Sequence, residues 1–439
     1  MKSRKLSRKR RRATIVSAAA ASVVAGVALA PNWSAGAAVT DDPTVDAATR
    51  ATFQKLADAV FTDRTQALVD DAPGSRGRHH RLTSGFSGKV RLSGTQSREE
   101  TSALDQLRGR KARLAKLGEK YSAAKTSVSL DATQVKGRDA KVAVTETTTL
   151  TYRRVRGNEP KTTGFQAHHE LTFRADQQGN WQLTRIRDTD DGVAVNQIAA
   201  PPVVTPPTAK PSTTAPTAKA STKAPTPAPT TPAPTTAAPT TAAPAASSTA
   251  PSVAADGNPP SAPRAAITTK PPAAPKNLSG GAYDYKAMAA YATKYWNNYN
   301  PDYPDFNGAG AGGDCTNFVS QSLKAGGWKH EPGYTYDFHK WFGNSEIQSD
   351  SFVGVNEFSW FALSSKRVTS LANVYQMDIG DVLQVDFNRD GSKDHSMIVT
   401  SRTAQGVPYL SYHSTNTYNR SVASIIASYP DAYYYAYRT

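Results

Sequence analysis

Cysteine is nearly absent from this sequence: one residue, Cys315, in 439. A chain with one thiol cannot staple itself with a disulfide, and a zinc site of the usual cysteine-rich kind is excluded. Acidic residues are also short, with 36 Asp and Glu against 52 Lys and Arg. That excess is uneven. Residues 41–200 hold 26 bases and 20 acids, whereas residues 280–439 hold 12 bases and 15 acids. No basic motif accompanies the charge, so nucleic acid is not expected as a partner. An anionic cell surface is the partner class that the basic front half and spacer would favour. Long apolar runs are missing too, apart from one near the start.

That run, "ATIVSAAAASVVAGVALA", follows a stretch from Met1 to Arg12 with eight bases, and precedes Ala35-Gly36-Ala37. Basic, apolar and small in that order is a secretory leader, read here as residues 1–37. The mature protein is expected to be secreted, with the cell wall as a place of association, and to meet a membrane only during export. Arg11-Arg12 leaves Sec and twin-arginine export both open.

What is abundant is proline, in one place. Twenty of the 29 prolines fall between Ala200 and Pro275. Pro, Thr and Ala cannot bury enough apolar area to offset ordering entropy, so residues 200–279 read as an extended spacer. Residues 41–198 read as an accessory α+β domain: two helical stretches, then four long alternating strands that suggest a curved antiparallel sheet. His168-His169 lies on one of those strands, where neighbours point to opposite faces, so the pair does not chelate a metal. His79-His80 sits in basic, loop-like sequence without further ligands. No metal or other cofactor is expected.

Residues 281–439 read as a second α+β domain. "YDYKAMAAYATKYWNNY" is an amphipathic helix. "GAGAGGDCTNFVSQSLKAGG" places Cys315 at the start of another, where unpaired N–H groups and the positive dipole end favour a thiolate. The Cys315 N–H is a potential oxyanion donor. Asp314 reads as an N-cap. Histidines follow on short strands: His395 in "DHSMIVTS" is the expected base. His413 at the end of "PYLSYHS" is the expected orienting residue, with Asn416 as its alternative. "DFNRDG" matches the start of a calcium loop, but its twelfth position is Met397, so it reads as a hairpin turn.

"YDYKAMAAYATKYWNNYNPDY", "GGDCTNFVSQSLKAGG", "GDVLQVDF", "DHSMIVTS" and "YHSTNTYN" together resemble the putative amidase domain family of bacterial secreted proteins. That family is similar to papain-like cysteine peptidases and amidases. The resemblance implies a papain-like fold over about 281–439, Cys315 as nucleophile, His395 as base and His413 in the third position. Trp360 in "EFSW" resembles an aromatic segment lining the cleft, with Asp314 beside it. The implied activity is hydrolysis of amide bonds, with peptide or peptidoglycan as substrate. Acyl transfer and a catalytically inactive binding protein are the alternatives left open.

Overall fold

The computed structural model describes residues 45–70, 90–192, 194–196, 262–268, 270–271, 275–307 and 313–439. The expected leader, His79-His80, most of the expected spacer and Gly308–Gly312 lie outside the described residues. No helix among those described is long and apolar enough to cross a membrane.

Helix α1 (Ala47–Gln66) begins where Asp46 accepts the Thr49 N–H at 2.7 Å, and it buries Phe53, Leu56, Val60 and Phe61. Strand β1 (Val90–Leu92) leads into α2 (Gly94–Lys116), which Ser93 caps through the Gln96 N–H. α2 therefore starts seven residues before the sequence pattern shows, because its first turns are polar. The four long alternating runs are β2 (Tyr121–Lys136), β3 (Asp139–Tyr152), β4 (Thr162–Ala175) and β5 (Trp181–Asp188), paired antiparallel in sequence order. The even alternation of β3 is visible in burial: Ala140, Val142, Val144, Glu146, Thr148 and Leu150 all face inward.

The second half supplies α3 (Tyr285–Tyr295), α4 (Cys315–Ala325), α5 (Asp350–Val353), α6 (Val355–Ser364) and α7 (Val422–Ser428). Its strands are β6 (Thr369–Leu371), β7 (Val382–Asp386), β8 (His395–Arg402), β9 (Pro408–Tyr412), β10 (Asn416–Ser421) and β11 (Tyr433–Arg438). They form an antiparallel run in the order β10-β9-β8-β7-β11-β6. The fold is mixed α+β, built on a largely antiparallel sheet.

That sheet does not stop at the boundary the sequence suggests. One edge of β4 belongs to β3. The other is divided: residues 169–175 pair with β5, and Gln166, Phe165 and Gly164 pair with Asn416, Thr417 and Tyr418 of β10. The joint is close. A Cβ on Gly164 would overlap the Tyr418 ring and lie 2.9 Å from the Thr148 carbonyl oxygen, so only glycine fits. Tyr121, Leu150, Tyr152 and Phe165 from the first half share a core with Leu410, Tyr412, Val422 and Ile425 from the second. The Tyr152 hydroxyl donates to the Asn419 carbonyl at 2.7 Å. A second core on the opposite side of the β7–β8 region gathers Met288, Phe318, Val319, Leu323, Trp341 and Phe358.

The described part of the expected spacer is also docked. Ala265 N–H donates to the Tyr434 carbonyl at 2.7 Å, and Arg264 lies 3.3 Å over the Tyr433 ring. Lys276 reaches the fully buried Asp381 at 2.5 Å. A buried carboxylate needs a cation beside it, which composition alone does not reveal.

Candidate active site

Cys315 is the first residue of α4 and is 3 % exposed. Asp314 does not cap the helix through its side chain. Its carboxylate instead accepts the Asn317 amide at 2.8 Å, the Phe306 N–H at 3.2 Å and His413 Nδ1 at 2.6 Å. Asp314 is fully buried, so it forms no part of an open cleft. The Asp314 N–H donates to Ser414 Oγ at 2.7 Å.

His413, just past β9, spends both ring nitrogens: Nδ1 on Asp314 and Nε2 on the Tyr295 carbonyl at 2.7 Å. Phe318 stacks on one side of its ring and Tyr299 lies tilted against it, each with centroids 4.0 Å away. Tyr299 in turn donates to Asn416 Oδ1 at 2.6 Å. The two orienter candidates are thus both present, but they hold Asp314 and Tyr299 rather than His395.

His395 stands elsewhere. Successive residues of β8 face opposite sides of the sheet. Ser396 and Ile398 face α4: Ser396 Oγ lies 2.9 Å from Thr316 Oγ1, and Ile398 joins the core of Phe318 and Val319. His395, Met397 and Val399 face the other way. The His395 ring meets Tyr412 edge-on at 5.0 Å and Phe387 at 6.4 Å. Its Nε2 is buried without a hydrogen-bond partner. The expected Cys315–His395 contact is therefore not formed in this structure.

Electrostatics agree with that separation. Burial pushes the Cys315 thiol up to about 11, with the Asp314 charge adding to it, against lowering contacts from Ser396 and Thr316. Burial, with the Arg420 charge, pushes His395 down to about 3. Desolvation outweighs the helix-terminus effect here, because the sulfur faces Thr316 Oγ1 at 3.8 Å and little solvent. The pair stands as neutral thiol and neutral imidazole.

Residue-type reasoning missed the struts around this centre. Ser396 Oγ also accepts the Gln384 amide at 3.1 Å, which makes a buried chain Cys315–Thr316–Ser396–Gln384. Ser414 and Thr415 turn the chain between β9 and β10 at φ 59° and 92°. A β-branched residue in that region marks a turn held by its surroundings. The polar run "YHSTNTYN" was the available signal. Trp360, on α6, is half-buried and packs edge-on against Phe338 with centroids 5.9 Å apart. The "DFNRDG" segment is a hairpin turn: Asp386 accepts the N–H groups of Arg389 and Gly391 at 2.6 and 3.0 Å. His168 and His169 point apart, one to Asp190 and one to Asp188 and Glu146.

The chain is similar to known proteins over parts of its length. The chain is 29 % identical over 160 residues to the uncharacterized protein YhbB of Bacillus subtilis (strain 168), covering 33 % of this chain and 50 % of that one. It is 33 % identical over 145 residues to YjcM of the same organism, also uncharacterized, covering 31 % of each. The chain thus spans at most half the length of these relatives. Among solved structures, the intermembrane space region of chloroplast protein ARC6 aligns with a TM-score of 0.21 and 15 % identity, over 31 % of this chain and 94 % of that one. Residues 282–437, which contain Cys315, Asp314, His395 and His413, match the putative amidase domain family, and the chain carries a domain of that family.

Proposed function

We propose that the protein is an exported amide hydrolase that uses Cys315 as nucleophile on peptide bonds of the cell wall. One observation carries this reading: within the matched domain, the chain's single cysteine is the first residue of α4, with Asp314 and His413 bracing its backbone from β9. The base takes the Cys315 thiol proton, the resulting thiolate attacks the amide carbonyl carbon, and α4 N–H groups receive the oxyanion. The amine leaves with a proton from the base. Water then cleaves the thioester and releases a carboxylate. His395 is assigned as base because His413 has no free nitrogen, whereas His395 Nε2 is unpartnered and its ring is uncharged. Their contact requires the start of β8 to turn His395 towards α4, a rearrangement that substrate binding would drive. The leader-like first 37 residues and the resemblance to an amidase domain of bacterial secreted proteins support export and wall substrates.

A second reading is favoured by the burial of Cys315 and by the lack, among the described residues, of a histidine hydrogen-bonded to its sulfur: a binding protein on an inactive amidase fold. Cys315→Ala separates the two. Hydrolysis of wall-derived peptides is followed by release of free amine. Loss of turnover with retained wall binding supports the hydrolase, while binding alone in both proteins supports the second reading.

A further inference from the structure

The function of His413 is open once its nitrogens are accounted for. Both face oxygen acceptors, 2.6 Å and 2.7 Å away, inside rings of Phe318 and Tyr299. The first acceptor is the carboxylate of Asp314, which neighbours the thiol in sequence and is fully buried. A buried carboxylate beside a sulfur opposes thiolate formation unless a cation compensates it. Other charges are more remote. Asp305 and Asp190 act with Asp314 on the Tyr299 hydroxyl, and the Asp191 Cβ lies 3.6 Å from where a Gly313 side chain would begin. Thr316 and Ser396, on the remaining side of Cys315, are neutral. Asp314 is thus the charge that matters at the sulfur, and His413 is the ionisable group that contacts it.

We propose that His413 is a positioning residue that acts through Asp314. It compensates the Asp314 charge and locks the start of α4 to β9 and α3, and takes no proton from Cys315. This rests on Cys315 being the nucleophile and changes the part assigned to His413, from orienting a catalytic imidazole to neutralising the nucleophile's own neighbour. Asp314 and His413 then act as one unit.

The test is the rate of Cys315 alkylation by iodoacetamide at pH 8 in the full chain, read by intact mass. Asp314→Asn is compared in two backgrounds, native and His413→Ala, so that any change in access caused by the missing ring cancels. With His413 gone, removing the Asp314 charge is expected to speed alkylation about tenfold. With His413 present the same change is expected to do clearly less. Equal effects in both backgrounds, or no acceleration without His413, would overturn the proposal. Should His413→Ala fail to fold, His413→Gln, which keeps a donor but no charge, gives the same comparison. Because the readout is thiol chemistry, the two failures are distinct: amide turnover missing from the native chain would sink the hydrolase reading, whereas the alkylation comparison alone decides whether His413 compensates Asp314.

Discussion

Replacing His169 should remove a specific, pH-dependent part of the protein's stability. His169 is 5 % exposed, stacked on Phe61 at 4.2 Å, with Nδ1 2.8 Å from Asp188 and Nε2 3.2 Å from Glu146. Burial alone would depress its pKa, but the two carboxylates outweigh burial and lift it from 6.5 to about 9. A folded-state value above the unfolded one stabilises the native state fully below about pH 6.5. The contribution is lost as pH rises through about 9. A difference of that size is worth about 3 kcal/mol. Urea unfolding of the full chain and of His169→Gln, each at pH 6 and pH 10, measures it. The native chain should lose about 3 kcal/mol more than the variant between the two conditions, since every other titrating group is common to both. Parallel losses would refute the imidazolium bridge and leave His169 a neutral core residue.

Three further outcomes follow from close packing. Gly164→Val should cost about 1–3 kcal/mol, because a side chain there meets the Tyr418 ring and the Thr148 carbonyl; an unchanged urea midpoint would mean the β4–β10 joint is loose. Gly192→Ala should raise the alkylation rate of Cys315, since a Cβ there overlaps the Ser414 carbonyl and displaces the turn that accepts the Asp314 N–H; an unaltered rate would disconnect the two. Residues 262–439 expressed alone should aggregate or unfold at lower denaturant than the full chain, because Leu410, Tyr412, Val422 and Ile425 lose their partners; a soluble fragment of equal stability would show that half to be self-sufficient.

The elements were largely legible because period and caps agree locally. Alternation over 139–152 and 162–175, and helical spacing from Phe53 to Phe61, leave one pattern each. Cys315 at a helix start was legible for the same reason: glycines before it and an apolar face after it. The pairing of Cys315 with His395 was not, because it depends on the parity of β8. Whether His395 or Ser396 faces α4 depends on register against β7 and β9, and a one-residue difference exchanges the faces. The clamp between Asp314 and His413 was out of reach for a different reason. A carboxylate before a helix reads as a cap unless the distant strand that claims it is already in place. The joint of β4 with β10 likewise leaves no local trace, since Gly164 inside a strand pattern signals only that something approaches closely.

The divided edge of β4 has a kinetic side. Gly164 and Tyr418 are neighbours in one ladder, yet more than half the chain separates them in sequence. Segments 45–196 and 262–439 therefore meet only after a very long loop has closed, which places the joint among the late, slow steps of folding. The cost of that closure grows with the logarithm of loop length, about 0.6 kcal/mol for each doubling. The residues from 197 to 261 sit inside the loop, so adding to them or trimming them changes the joint's stability little. The length of that proline-rich stretch is thereby nearly decoupled from the ladder that joins the segments on either side.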